Sequence, residues 1–161
     1  MQFIPRVEIE ENHRLHPGFW QPYELARAFD WQGALAANET FFQQPNLRKD
    51  PFFPVYLSYF GLMKVMSGEK SGLLYCIDAA KQDSLQAGLF ANLSLAELQL
   101  RNRKAAVQAL DYGLRLNSKS AALKLISFHL GRRRKPMFSF FSRDHVVNRW
   151  MGKLTYYKAT A

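Results

Sequence analysis

A helical pattern that returns after about 34 residues constrains the fold of this chain more than any other feature of its sequence. Residues 104–118, KAAVQALDYGLRLNS, place small and apolar side chains on one face of a helix. Residues 71–84, SGLLYCIDAAKQDS, repeat this pattern, and Gly72 stands 34 positions before Ala106. An apolar helical segment precedes each of the two. The sequence therefore predicts two consecutive helical hairpins built on one period.

Large and small side chains follow the same order in the two units. Residues 87–120 supply Phe90, Leu93, Ser94, Ala106, Leu110, Gly113 and Ser118. Residues 53–86 supply Tyr56, Tyr59, Gly72, Cys76, Ala79 and Ser84, with Phe60 at the position that Ser94 occupies in the other unit. This order resembles the tetratricopeptide repeat family, which has the same period. The resemblance implies an all-α fold, with antiparallel helical hairpins of tetratricopeptide type stacked into a short right-handed superhelix.

Small residues have a physical role in such a repeat. They lie where two helices cross closely, and a larger side chain would push the helix axes apart. Phe60 departs from this rule. A one-residue shift in the first helix would let Gly61 take the small position instead. The helix register is left open at this point.

The rest of the chain divides around the two repeats. Residues 1–19 are expected to form an N-terminal arm, and residues 20–130 a repeat domain that opens with a divergent hairpin at residues 22–42. Residues 120–130 are expected to form a capping helix, since terminal repeats are atypical. Residues 131–161 form a basic, aromatic tail, in which we expect a short amphipathic helix.

Positive charge is concentrated in this tail. The chain has a formal net charge of +9, and residues 131–161 hold eight of its 22 Lys and Arg residues against one acidic residue, Asp144. The run Arg132, Arg133, Arg134 and Lys135 is followed by Phe138, Phe140 and Phe141. Such a segment suits nucleic acid or membrane headgroups as an anionic partner. In the plain alternative, the phenylalanines cover the last repeat while the arginines stay solvated.

Sequence patterns that announce catalysis or a cofactor are lacking. No GxGxxG, GxxxxGK[ST], HExxH or GxSxG pattern occurs. His13 and His16 are three residues apart, but Pro17-Gly18 indicates a loop there and no third ligand is clustered with them. Cys76 occupies a repeat position that packs between helices, so we interpret it as a small buried hydrophobe. The sequence predicts a protein that is not an enzyme and that needs no metal or cofactor.

The start of the chain does not resemble a secretory signal. Charge and proline interrupt its apolar residues, and no window elsewhere approaches 18 uncharged apolar residues. The chain also has a single cysteine, so no intramolecular disulfide is available to it. These features favour a cytoplasmic protein.

Aromatic residues outside the two repeats allow more than one assignment. Trp20, Trp31, Phe41 and Phe42 are expected in an N-terminal core, with a binding pocket as the alternative. Phe52 and Phe53, like the tail phenylalanines, look exposed. A homodimer would bury such residues, so self-association is a further expectation.

The family resemblance also implies where a partner would bind. In that family the first helix of each pair lines a concave groove, and the matching positions here are Ala91, Asn92, Leu95, Leu98, Gln99, Leu125 and His129. This lining is mostly apolar, and Leu95 stands where members that clamp a terminal carboxylate have asparagine. We therefore expect an extended or helical protein segment with apolar anchors as the partner, and an adaptor, scaffold or chaperone-like role. Arg132, Arg133, Arg134 and Lys135 are the alternative, anion-binding site.

Overall fold

All of the secondary structure between residues 15 and 131 is helical. These are the residues that the computed structural model describes, and no strand occurs among them. Their α-helices are α1 Trp20–Arg27, α2 Trp31–Phe42, α3 Phe53–Met66, α4 Gly72–Gln82, α5 Ala87–Gln99, α6 Arg103–Leu116 and α7 Ala121–His129. Short 3-10 helices at Pro17–Phe19 and Leu47–Lys49 precede α1 and α3. The predicted all-α class is confirmed.

The two ends of the chain lie outside the described residues. Residues 15–129 belong to one compact unit, and a second unit begins at Leu130. His13 and the four predicted anion-binding residues from Arg132 to Lys135 therefore fall outside the structural description, as does the short amphipathic helix expected in the tail. Those expectations stay predictions.

Three helices begin at a regular interval along the chain. α3 begins at residue 53, α5 at residue 87 and α7 at residue 121, so each start follows the previous one by 34 positions. α4 and α6 end at residues 82 and 116, which are separated by the same interval. The period that the sequence suggests is therefore also the spacing of the helices.

The turns that lead into α5 and α7 share one geometry. Asp83 has φ −134° and ψ 89°, and Asn117 has φ −139° and ψ 93°. Each side chain accepts a hydrogen bond from the backbone N–H two residues later, that of Leu85 at 3.1 Å and that of Lys119 at 3.0 Å. Asp and Asn commonly form such a turn because their short side chains reach their own backbone.

α5 lies in the middle of these helices. It packs against α3 and α4, which precede it, and against α6 and α7, which follow it. Because four helices surround α5, its buried residues are distributed around the whole helix. α6 instead buries a single stripe, made of Ala106, Ala109, Leu110 and Gly113. The apolar stripe that reveals a helix in the sequence is accordingly clear in α6 and weak in α5.

Small residues lie where the paired helices meet. A Cβ atom added to Gly61 in α3 would lie 2.6 Å from the carbonyl oxygen of Gly72 in α4. Phe60 instead stacks on Phe42, with their ring centroids 4.8 Å apart. The register question is thereby answered, because Gly61 takes the small position. In the next pair, the Ser94 hydroxyl donates to the carbonyl oxygen of Ala106 at 3.0 Å.

Phe19 lies at the centre of an aromatic core that joins α1, α2 and α3. It is fully buried, and its ring contacts those of Tyr23, Phe41, Tyr56 and Tyr59 at centroid distances between 5.0 and 6.1 Å. The sequence placed Phe19 in an N-terminal arm. The structure shows that the ordered core includes it.

The other aromatic expectations hold only in part. Phe41 is buried, and Trp31 and Phe42 pack against the core while half-buried, as the sequence predicted. The prediction is wrong for Trp20, which is exposed. Phe52 and Phe53 were expected at the surface, but they also pack half-buried against this core.

A chain of hydrogen bonds fixes the segment before α1 onto α3. The backbone N–H of His16 donates to the Tyr56 hydroxyl at 2.8 Å, and that hydroxyl donates to the Asp50 carboxylate at 3.2 Å. Burial raises the pKa of Tyr56 to about 12, and the Asp50 charge acts in the same direction. The imidazole Nδ1 of His16 accepts from the N–H of Gly18 at 3.1 Å. His16 therefore has a structural role as the cap of a short helix.

Candidate partner-binding groove

The predicted groove residues differ widely in how accessible they are. In α5, Ala91, Asn92 and Leu95 are buried, Leu98 is half-buried and Gln99 is exposed. In α7, Leu125 and His129 are exposed. Ala91 and Leu95 thus have little surface to offer to a partner. Asn92 is the one member of these seven described residues that lines the cavity along the same helices.

This cavity, named here the repeat cavity, has a volume of about 540 Å³. It lies where the first turns of α3, α5 and α7 meet the two turns at Asp83 and Asn117. Apolar walls come from Val55, Leu89 and Ala122. Because these elements recur at the interval of the helix starts, the cavity is built from equivalent parts of successive units.

The mouth of the repeat cavity carries one strongly exposed apolar side chain. Leu85 follows the turn at Asp83 and is 78% exposed, although it lines the cavity. Asp83, Asn117 and Ser120 contribute polar groups to the cavity lining. An exposed leucine together with apolar walls and a few polar groups is the composition of a site that takes an apolar side chain.

Buried polar side chains form one wall of the repeat cavity. The Asn92 amide in α5 donates to the Ser58 hydroxyl in α3 at 3.2 Å, and these two residues are 34 positions apart. The Asn92 carbonyl oxygen and the Tyr59 hydroxyl have no hydrogen-bond partner among the described residues. Both residues line the cavity. A buried polar atom without a partner costs free energy, on the order of 1–3 kcal/mol, so this wall is suited to accept one.

Burial also perturbs the ionisation of Tyr59. It raises the pKa of this phenol well above 10.0, the neighbouring Tyr23 acts in the same direction, and the nearby Asn92 amide opposes the effect. A raised pKa means that the folded state holds its proton while the unfolded state loses it above pH 10. The stability that Tyr59 contributes is therefore intact below pH 10 and is lost as the pH rises further.

Replacing Tyr59 with phenylalanine should make the fold less sensitive to alkali. Between pH 8 and pH 11, the free energy of unfolding should fall by about 1 kcal/mol less in the variant than in the wild type, since pH 11 lies one unit above the ordinary pKa. Urea denaturation followed by circular dichroism at the two pH values measures this difference.

The matched control for this experiment is Tyr112→Phe, which removes a hydroxyl from a ring that is exposed. We expect this variant to lose as much stability as the wild type between the two pH values. Equal losses in the Tyr59 and Tyr112 variants would show that the Tyr59 phenol ionises as readily in the folded as in the unfolded protein.

Cys76 has the environment of a packing residue. It is fully buried, and its thiol donates to the carbonyl oxygen of Ser58 at 3.4 Å. Burial raises the pKa of the thiol to about 12, so the reactive thiolate is suppressed at neutral pH. The expectation of a small buried hydrophobe is confirmed.

Residues 15–131 contain neither a cluster of metal ligands nor a membrane-spanning helix. No three His, Cys, Asp or Glu side chains in this part of the chain are close enough to hold a metal ion together. Within the same residues, no helix combines the length and the apolar content that a membrane crossing needs.

Several residues that line the repeat cavity were not predicted from the sequence. Asp83 and Asn117 carried a usable signal, because two Asx residues 34 positions apart, each at the end of a helix, indicate matching turns. Leu85 and Tyr59 carried none, since one looks like an ordinary loop residue and the other like a core aromatic. Their common location depends on how three helices come together.

The chain matches no protein-family model, and no curated protein resembles it significantly.

Proposed function

We propose that this protein is a non-enzymatic interaction module of tetratricopeptide type, which binds a protein segment in the repeat cavity. The observation that carries the proposal is the cavity itself, whose walls include two buried polar atoms, on Tyr59 and Asn92, that have no hydrogen-bond partner among residues 15–131. An adaptor, scaffold or chaperone-like role fits such a module, because it holds a partner without changing it.

Support for the repeat assignment comes from spacing. The starts of α3, α5 and α7 follow one another by 34 positions, and the hydrogen bond between Ser58 and Asn92 joins equivalent positions of two units. α5 contacts α3 and α4 of the preceding unit, and it also contacts α6 and α7, which follow it, as stacked repeats require. These features favour a tetratricopeptide-type arrangement over an irregular helical bundle.

Support for a polypeptide as the partner comes from the chemistry of the cavity wall. The Tyr59 hydroxyl can donate a hydrogen bond and the Asn92 carbonyl oxygen can accept one, and a peptide group offers the complementary C=O and N–H. An apolar side chain next to that peptide group would lie against Val55 and Leu89. The expected partner segment therefore combines an apolar anchor with accessible main chain.

Selection from a displayed peptide library tests this proposal directly. Full-length protein should enrich peptides that share apolar anchors, and their affinities can be measured by fluorescence polarisation. Leu85→Glu should weaken binding by about tenfold or more, because it places a charge beside the apolar walls and removes a contact of about 1.5–3 kcal/mol.

The chain offers a close control in Leu74→Glu. Leu74 is also exposed, at 68%, but it does not line the cavity. This variant should bind the selected peptides like the wild type. Equal affinity of the two variants, or a selection without any apolar consensus, would rule out the repeat cavity as the binding site.

The basic tail is the alternative site, and the same peptides discriminate it. A variant in which Arg132, Arg133, Arg134 and Lys135 are all replaced by glutamine keeps every cavity residue named above. We expect it to retain the affinity of the wild type. If this variant lost peptide binding while Leu85→Glu retained it, the tail and not the cavity would be the binding site.

A further inference from the structure

A second cavity, named here the basic-aromatic pocket, lies between the end of α2, the 3-10 helix Leu47–Lys49 and the first half of α3. Its volume is about 540 Å³. Small-molecule sites in proteins are typically about 300–1,000 Å³, so this pocket has the size of such a site. The pocket shares no lining residue with the repeat cavity.

Aromatic rings form the wall of the basic-aromatic pocket. Phe42 contacts Phe53 and Phe60, at centroid distances of 5.9 and 4.8 Å, and Phe60 contacts Tyr75 at 5.2 Å. All four rings line the pocket, and Leu57 adds an aliphatic surface between them. Such a wall favours a flat, apolar body, because aromatic contacts add to the burial of apolar area.

Two cations at the same pocket have no carboxylate partner among residues 15–131. Arg48 and Lys49 line it, and neither forms an ion pair with any residue in the described part of the chain. Lys64, the cation above the Phe60 ring, is by contrast paired with Glu69 at 2.7 Å. The free positive charge at the pocket therefore belongs to Arg48 and Lys49.

The nearest acidic residue in the sequence is engaged elsewhere. Asp50 accepts from the N–H of Phe52 at 2.8 Å and from the Tyr56 hydroxyl at 3.2 Å, and it does not line the pocket. These bonds direct its carboxylate toward α3. Within the described part of the chain, Arg48 and Lys49 are thus free to contact an external anion.

The segment that carries the two cations is held in place before any ligand arrives. Leu47 is buried, the N–H of Lys49 donates to the Asn46 carbonyl at 2.9 Å, and the N–H of Asp50 donates to the Leu47 carbonyl at 3.0 Å. A site that is already ordered loses less conformational entropy on binding than a flexible one.

We propose that the basic-aromatic pocket binds a small organic anion, an aromatic carboxylate whose ring system lies against Phe42, Phe53, Phe60 and Tyr75 while Arg48 and Lys49 contact its carboxylate. Arginine suits this role because its guanidinium makes paired hydrogen bonds to a carboxylate. This site is independent of the repeat cavity and of any protein partner bound there.

Isothermal titration calorimetry of the full-length protein with 2-naphthoate, at neutral pH and low salt, tests the proposal. One molecule should bind per chain. Its neutral isostere, 2-naphthamide, should bind at least about tenfold more weakly, because it cannot form charge-assisted hydrogen bonds. Inorganic phosphate should not displace 2-naphthoate, since it lacks an apolar body.

Two pairs of variants assign the binding to this pocket. The double variant Arg48→Ala/Lys49→Ala should reduce 2-naphthoate affinity to that of the amide, whereas Lys81→Ala/Lys104→Ala, which removes two charges from exposed positions outside the pocket, should not. Tyr75→Ala should weaken both ligands, and Tyr112→Ala, whose ring packs on Phe90, should weaken neither.

The proposal is overturned by any of three results. Equal affinities for 2-naphthoate and 2-naphthamide would show that the cations do not contribute. Unchanged binding in the Arg48/Lys49 double variant would place the ligand elsewhere, and displacement by phosphate would mean that charge alone accounts for binding. Circular dichroism of each variant, which should match the wild type, shows that the affinity changes are not caused by unfolding.

Discussion

Replacing Phe19 with alanine should lower the free energy of unfolding by about 3–5 kcal/mol, the range for removing a fully buried phenylalanine. The ring of Phe19 contacts aromatic rings from α1, α2 and α3, so its loss leaves a cavity at the point where these helices meet. Rigid rings cannot collapse easily into such a space. Urea denaturation at pH 7, followed by circular dichroism, measures the change.

Phe128→Ala provides the matched control for this experiment. It removes the same side chain from α7 at a position that is 79% exposed. Its free energy of unfolding should stay within about 0.5 kcal/mol of the wild type. If the two variants were equally stable, the aromatic core around Phe19 could not be what holds α1 and α2 onto α3.

Replacing Gly72 with leucine should destabilise the fold by about 3 kcal/mol or more, because the added atoms meet backbone that cannot move aside. A Cβ atom at this position would overlap the carbonyl oxygen of Gly61 and would lie 2.8 Å from the backbone nitrogen of Val65. α3 and α4 would have to separate along their length. The same urea denaturation experiment measures the effect.

Ser71→Leu tests whether the effect comes from the helix crossing. Ser71 is the exposed neighbour of Gly72, at the start of α4. Leucine there adds a similar bulk to the surface and should change the stability by less than about 0.5 kcal/mol. A Gly72→Leu variant as stable as Ser71→Leu would contradict the close approach of the two helices.

The repeated part of the fold was predictable because its signal is local. Small residues recur at a fixed interval in α4 and α6, and each of these helices buries a limited set of residues. The register of α3 was harder to read, since Phe60 and Gly61 are adjacent and either could face α4. Only the packing of Phe60 on Phe42 decides between them.

The N-terminal core was harder to predict for a different reason. Pro17-Gly18 indicates a loop, and a loop is normally a poor place to look for a core residue. Here these residues belong to a short 3-10 helix, whose turn places Phe19 among rings from three α-helices. Contacts between residues far apart in sequence leave no periodic trace, so Trp20 and Phe19 could not be distinguished in advance.

The candidate site was predictable only at Asn92. Periodicity identifies residues that share a face of α5, but it does not tell whether another helix covers that face. α3, α4, α6 and α7 surround α5, and Ala91 and Leu95 are buried as a result. The repeat cavity opens instead where α3, α5 and α7 begin, beside the turns at Asp83 and Asn117. Residues of those turns belong to no helical stripe.

The matching turns at Asp83 and Asn117 have a consequence for how such a chain can grow. Because Asp83 and Asn117 have nearly the same backbone angles, the segment between them begins and ends in turns of one geometry. A tandem duplication of that segment would therefore place a turn of the same geometry at the new junction.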